Sequence, residues 1–256
     1  MKKSWFPEIA QERYFRAAAT LAGIPVYEKD GLSWIMGEKP GYPRAIFRTM
    51  LRRRDLPRRV PEIAARMRAG ELPGLWSGNA YSRPRVLEKY LLCHGFHMTW
   101  PAAGMVLKRL SPRPAIQTDY TVQPLTEDAW IPAWSRIVNT ELFKGDEKAA
   151  QGFTDLIRSI WQDERMRLFA AVRDGQLLGT VISYIEDGLA WIGYVAVSLD
   201  ARRQGIGSRL TWQAARWAKE CGADTVALHA SVLGEPVYAK LGFEVVSRIK
   251  RLRLVK

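Results

Sequence analysis

The chain has 256 residues, of which 47% are apolar; this excludes a disordered polymer and suits two domains of about 115–140 residues each. No apolar run approaches the roughly 18–20 residues that cross a bilayer, and Met1-Lys2-Lys3 leads into Ser4-Trp5-Phe6-Pro7 rather than a signal peptide, so a cytoplasmic protein with no membrane partner is expected. The 2 cysteines, Cys93 and Cys221, exclude a disulfide framework and have no metal-ligand spacing, while a formal charge of +13 raises the question of anionic partners.

In chain order, residues 8–21 read as a helix. Extended segments at 24–29 and 32–36 flank Asp30-Gly31, a strong hairpin signal. A strand at 45–51, a helix at 60–69, an extended segment at 72–76 and a helix at 84–93 follow. Residues 96–100 and 105–110 read as a closing hairpin. Two prolines then interrupt regular structure in Ser111-Pro-Arg-Pro-Ala-Ile116, which reads as a linker.

Beyond it, 120–124 is a short strand, and Thr126 offers an N-cap for a helix to about Asn139. Asp146 caps a second helix in which Phe153, Leu156, Ile157, Ile160 and Trp161 recur at helical spacing. Strands at 168–173, 177–186 and 189–198 are joined by Asp174-Gly175 and Asp187-Gly188. A helix from Gly205 to Cys221, a strand at 225–231, a short helix at 235–241 and a last strand at 243–254 complete the chain.

The two halves repeat one order: strand, helix, strand, helix, Gly-Phe, strand. Leu91-Leu-Cys-His-Gly-Phe96 falls on Tyr238-Ala-Lys-Leu-Gly-Phe243 with Gly-Phe in register. The halves differ in charge, with 21 Lys+Arg against 9 Asp+Glu in residues 1–115, and 18 against 17 in 116–256. Nine arginines fall between Arg44 and Arg68, opposed only by Asp55 and Glu62. That stretch is either a solvated face or a surface for nucleic acid or another polyanion.

Chemistry concentrates in Val195-Ala-Val-Ser-Leu-Asp-Ala-Arg-Arg-Gln-Gly-Ile-Gly-Ser208, an apolar strand joined to a helix through two glycines. Arg202, Gly205 and Gly207 fit the spacing [QR]-x-x-G-x-[GA]. A loop of that kind at a helix start can wrap a pyrophosphate with backbone N–H groups. Together with Tyr238-Ala-Lys-Leu-Gly-Phe243 it resembles the acyl-CoA site of the GCN5-related N-acetyltransferase (GNAT) family. The resemblance covers residues 118–256 well and 1–112 as a degenerate echo. At the loop position the first half has Arg52-Arg-Arg-Asp-Leu-Pro57, without glycine, and Leu91 stands in the place of Tyr238.

The resemblance implies an α/β (α+β) fold of two GNAT-like domains, each a mixed, mostly antiparallel sheet flanked by helices. Residues 1–112 would form the degenerate domain and 118–256 the acetyltransferase. It further implies that acetyl-CoA is co-substrate, held by the backbone of Arg203, Gln204, Gly205, Ile206, Gly207 and Ser208, with Arg202 opening the motif. Pantetheine would pair with Val195, Ala196 and Val197 and touch Ser231. A small-molecule or peptide amine would attack the thioester directly through a tetrahedral intermediate, and Tyr238 would protonate the thiolate. Glu186, Asp187, Glu141 and His229 are candidate general bases. Among Trp130, Trp134, Trp161, Trp191 and Trp212, one or two would wall the acceptor site, in a groove between the halves. Two alternatives stay open: an RNA- or polyanion-binding module using residues 44–68, and a CoA-binding protein without transferase activity.

Overall fold

The computed structural model describes residues 2–78, 82–115 and 119–254. The first half holds α1 (Phe6–Leu21), β1 (Val26–Lys29), β2 (Leu32–Met36), β3 (Arg44–Thr49), α2 (Leu56–Arg68), β4 (Leu75–Gly78), α3 (Leu87–Leu92) and β5 (Phe96–Leu107). The second holds β6 (Thr121–Pro124), α4 (Ile131–Val138), α5 (Glu147–Ile160), β7 (Met166–Arg173), β8 (Gln176–Glu186), β9 (Leu189–Val197), α6 (Ile206–Glu220), β10 (Thr225–Ala230), α7 (Glu235–Lys240) and β11 (Phe243–Leu254). Ile116, at the end of the expected linker, and residue 118, where the second domain is expected to start, lie outside the described residues.

Local chemistry accounts for many of these boundaries. Asp30-Gly31, Asp174-Gly175 and Asp187-Gly188 each take left-handed backbone at both positions, the twist that a two-residue hairpin turn requires. The Asp146 carboxylate accepts from the Ala149 N–H at 2.9 Å and starts α5, whose Phe153, Leu156, Ile157 and Ile160 are buried. Thr126 is not the cap of the preceding helix. A 3₁₀ turn at Asp128–Trp130 with Glu127 before it leads into α4, where Pro132 in the first turn needs no N–H partner. A π-helical turn, Asn139–Phe143, ends that helix at Lys144, which takes a left-handed φ of 53°.

All eleven strands form one sheet in the order β1-β2-β3-β4-β11-β5-β10-β9-β8-β7-β6. Outward from the central β5–β11 pair, both arms give the same succession over four strands, with parallel pairing at β3–β4 and β9–β10 and antiparallel pairing at the other contacts, and β6 extends the second arm by one strand. That is the topology of an internal repeat whose last strands are exchanged. β5, from the first half, lies between β10 and β11; β11, from the second, lies between β5 and β4.

The expected hairpin at 96–110 is therefore one strand of 12 residues. Pro101-Ala-Ala-Gly104 suggests a turn by composition, but it is where neighbouring strands approach closely: a Cβ on Gly104 would lie 2.1 Å from Ser247 Oγ. Small residues serve packing there, not reversal.

Helices α1, α4 and α5 cover one face, burying Tyr14, Trp134, Phe153, Tyr184 and Trp191 together. On the other face α2 and α3 pack over Ile46 and Trp76, and α6 and α7 over Val226 and Leu228. Helix α1, from the first half, thus contributes to the core of the second. Among the described residues no helix is long and apolar enough to cross a membrane.

Candidate active site

Strands β9 and β10 pair in parallel from Leu189–Thr225 to Ile192–Leu228 and then part. β9 continues to Val197 against β8, so the edge of Val195, Ala196 and Val197 that faces away from β8 lies beyond the last rung shared with β10. A bulge creates the parting. The β8–β9 register shifts between Thr180 and Ile182, Tyr194 takes a φ of 51°, and Thr180 Oγ1 donates to the Tyr194 carbonyl at 2.9 Å. Gly193 leaves room for the Trp191 ring, which a Cβ there would meet at 1.9 Å.

At the end of β9 the chain runs through Arg202–Gly205 into α6. Arg203 and Gly205 take φ of 64° and 74°, and no side chain caps the helix start. Gly205 is demanded by its backbone. Gly207 is not demanded by packing: a Cβ there would meet only Val197 Cγ2 at 3.8 Å and Val195 Cγ1 at 3.9 Å. The side chains turn elsewhere. Ile206 is buried, Arg203 is exposed and Ser208 is half-buried. Gln204 accepts from Arg173 at 2.5 Å. Arg202 pairs with Glu141 and donates to the Val197 carbonyl at 3.3 Å.

Tyr238 lies on α7 across the parting. Burial pushes its phenol up to about 12, an effect the Thr211 side chain partly offsets, so it stays protonated and can donate. Thr211 in turn donates to the Gly207 carbonyl at 2.8 Å, which ties the phenol to the first turn of α6. Ser231 Oγ accepts from the Gly234 N–H at 3.2 Å.

Tyr238, Ser231 and Val195 line a cavity of about 920 Å³ that both halves build. Phe15 of α1 and Phe47 of β3 line it together with Phe143, Phe153, Trp191 and Tyr194, and Phe15 meets Trp191 at 6.2 Å. The rings form a mutually supporting cluster: Trp191 stacks on Tyr14 at 4.5 Å, and Tyr194 meets Phe153 edge-on at 5.3 Å. Of the tryptophans, Trp191 lines this cavity. Trp134 is core, Trp130 and Trp161 pack against the same core, and Trp212 donates to the Ser111 carbonyl at 3.0 Å.

The base candidates separate. Glu186 and Asp187 sit in the β8–β9 turn, at the other end of β9, where Glu186 pairs with Arg165 (3.1 Å) and Asp187 with Arg13 (3.3 Å). Neither lines the cavity. Glu141 and His229 do. Burial and the nearby Arg251 push His229 down to about 3, so its ring is neutral at pH 7. Arg251, Tyr194 and the α1 carboxylates Glu8 and Glu12 line the same space. No local pattern marks them, because they come from β11, a bulge and the distant first helix.

The counterpart in the first half is filled by the chain itself. β3 pairs with β4 at Ile46–Trp76, and Ser82–Arg83 then lie along the end of β3. Arg83 N–H donates to the Thr49 carbonyl at 2.7 Å, Leu51 N–H to the Arg83 carbonyl at 3.0 Å, and Thr49 N–H to Ser82 Oγ at 3.1 Å. Leu91 is buried under this half, at the place where α7 carries Tyr238. Of the arginines of residues 44–68, Arg44, Arg52, Arg53, Arg54, Arg58 and Arg68 are exposed, and several of the stretch have assigned places. Arg44 lines the cavity, Arg48 faces Glu12 (3.7 Å), Arg58 pairs with Glu62 (2.8 Å) and Arg66 with Glu71 (3.1 Å).

Residues 128–243 match the model of the Acetyltransferase (GNAT) family. The chain carries a GNAT acetyltransferase domain. Solved structures share the whole fold. A GCN5-related N-acetyltransferase from Kribbella flavida is 15% identical with a TM-score of 0.72, covering 100% of this chain and 97% of that one. Another from Sphaerobacter thermophilus is 17% identical with a TM-score of 0.63, over 96% and 91%. A tandem GNAT protein from the clavulanic acid biosynthesis pathway is 16% identical with a TM-score of 0.60, over 86% and 77%. None of the curated proteins matches the chain. The doubled GNAT fold is thus a form that other proteins also take.

Proposed function

We propose that the protein is an acetyl-CoA-dependent N-acetyltransferase whose second half, 118–256, holds the donor, while the first half, 1–112, is a degenerate copy that helps wall the acceptor cavity. The observation that carries this is the β9 edge beyond Ile192, which runs into an uncapped helix start and opens onto the cavity beside Tyr238. The residues suit a CoA thioester. The backbone of Val195, Ala196 and Val197 offers a strand edge to pantetheine. The N–H groups of Arg203 to Ser208 converge at the start of α6, where the helix dipole favours a pyrophosphate. The space above Gly207 is what close approach of a ligand to the backbone needs.

Acetyl-CoA supplies an activated acyl group. On this reading the chain positions the thioester carbonyl against β9 backbone N–H and brings the amine through the aromatic cavity. The C–N bond forms first, giving a tetrahedral intermediate, and its collapse breaks the C–S bond. The amine loses a proton, and Tyr238, protonated at any pH well below about 12, delivers one to the departing thiolate.

Calorimetry with acetyl-CoA tests the donor site: saturable binding is expected, and none at millimolar ligand removes the proposal. Tyr238→Phe should then lower kcat by about 10²-fold, the lower range for general acid catalysis, and leave acetyl-CoA affinity unchanged. An unchanged kcat would remove Tyr238 from the reaction.

A further inference from the structure

Arg202 opens the glycine loop, and its side chain spans the donor edge and the acceptor cavity. Ser198 N–H donates to the Leu178 carbonyl of β8 at 2.9 Å. The alternation of an antiparallel strand therefore turns the Val197 carbonyl the other way, onto the open edge of β9. Arg202 Nε donates to that carbonyl at 3.3 Å. The same guanidinium pairs through Nη2 with Glu141, which lines the cavity. One side chain thus takes a rung of the edge assigned to pantetheine and neutralises a carboxylate of the acceptor space.

The two partners are not held alike. The Glu141 side chain is 12% exposed and that of Arg202 is 44% exposed. Glu141 rides the π-helical turn Asn139–Phe143, which Asn139 Nδ2 braces by donating to the Gly145 carbonyl (3.0 Å) and the Asp146 carbonyl (3.2 Å). Phe143 anchors the end of that turn edge-on against Phe153 (5.4 Å) and Tyr194 (6.0 Å). Arg202, on a long arm at the solvent boundary, is free to swing; Glu141 stays in the wall. A nearly buried carboxylate is costly to leave without a counter-charge, and an ammonium beside the aromatic rings supplies one.

We propose that Arg202 is a placeholder exchanged on donor binding, and that Glu141, so released, holds the acceptor as an ammonium. The proposal rests on the acetyl-transfer reading. Arg202 gives up Val197 to the pantetheine amide and Glu141 to the amine, and turns its charge to the pyrophosphate. Donor and acceptor then bind with positive coupling, because each meets a cost that the other creates. The acceptor class is a cationic primary amine with an apolar or aromatic body. An acid or a neutral amide gains nothing from Glu141.

Calorimetry with acetyl-CoA over a double-mutant cycle in the intact chain tests the exchange. Glu141→Gln releases Arg202 and should tighten acetyl-CoA binding by about three- to fivefold, the scale of a partly exposed ion pair. Arg202→Gln should weaken it, and adding Glu141→Gln in that background should change nothing further. Weaker binding in Glu141→Gln would mean that Glu141 holds Arg202 in its binding position. An equal gain in both backgrounds would mean a long-range charge effect. Either result overturns the exchange. Phenethylamine and benzylamine, titrated with CoA so that no transfer occurs, read the acceptor side. Their affinity should rise by about fivefold or more when CoA is present, rise without CoA in Arg202→Gln, and be lost in Glu141→Gln. Equal affinity with and without CoA, or no binding of either amine, overturns the role of Glu141. If the unaltered chain binds no acetyl-CoA, the transferase reading falls and the exchange with it. If it binds and the cycle fails, the exchange alone falls.

Discussion

The two clefts of this molecule share one topology and opposite contents. In the first half, Ser82–Arg83 hydrogen-bond along the β3 edge as β3 and β4 diverge, and Trp76 closes the space behind with its indole donating to Thr49 Oγ1 at 2.9 Å. In the second half the matching edge of β9 opens onto a cavity, and the helix that follows starts on glycines instead of Arg52-Arg53-Arg54. A parting pair of parallel strands is therefore only a scaffold. Whether the gap is lined by the protein's own backbone or left open is decided by a few residues after each strand.

The exchange of β5 and β11 suggests the harshest way to break that comparison. A chain cut to 119–256 loses the strand between β10 and β11 as well as α1, and should show no cooperative unfolding by circular dichroism. A fragment that folds and binds acetyl-CoA would mean that the halves are independent after all. Less drastically, the intact chain should bind acetyl-CoA at one equivalent. A second equivalent in calorimetry would show that Ser82–Arg83 can be displaced from the first cleft.

Two glycine substitutions sharpen the contrast between protein needs and ligand needs. Gly205→Ala places a side chain at a φ of 74° and should cost about 1–2 kcal/mol in urea denaturation. Gly207→Ala meets open space in a helix, where alanine is favoured by about 0.5–1 kcal/mol, so stability should hold or rise. Acetyl-CoA affinity should nonetheless fall, by about tenfold, equivalent to about 1.4 kcal/mol. Unchanged affinity would place the ligand elsewhere.

The last effect concerns pH. An unfolded histidine gains its proton as pH falls through 6.5, whereas folded His229 resists until about 3. The unfolded state binds more protons across that window, so stability falls as pH falls through it. His229→Gln should flatten the slope of unfolding free energy between pH 7 and 5. A slope identical to wild type would mean that His229 takes up a proton as readily folded as unfolded.

Legibility in the sequence followed the range of the interactions. The three Asp-Gly hairpins, the Asp146 cap and the left-handed Gly205 are consequences of neighbouring residues, and they stand where the sequence places them. Thr126 misled because a 3₁₀ turn and Pro132 start α4 without a side-chain cap. The supposed hairpin at 96–110 misled because its small residues answer to strands from the far end of the chain.

The sequence alone therefore determined the local pieces: which segments turn, which helix starts on glycines, and which half lacks the glycines and the tyrosine. Only the tertiary structure decided that α1 and β5 of one half complete the other, that Ser82–Arg83 lie along the end of β3, and that His229, Arg251 and Tyr194 line one cavity. Backbone conformation is set by neighbours in the chain. Proximity between β9, β10, β11 and α1 is set by burying one shared core, which no short stretch of sequence encodes.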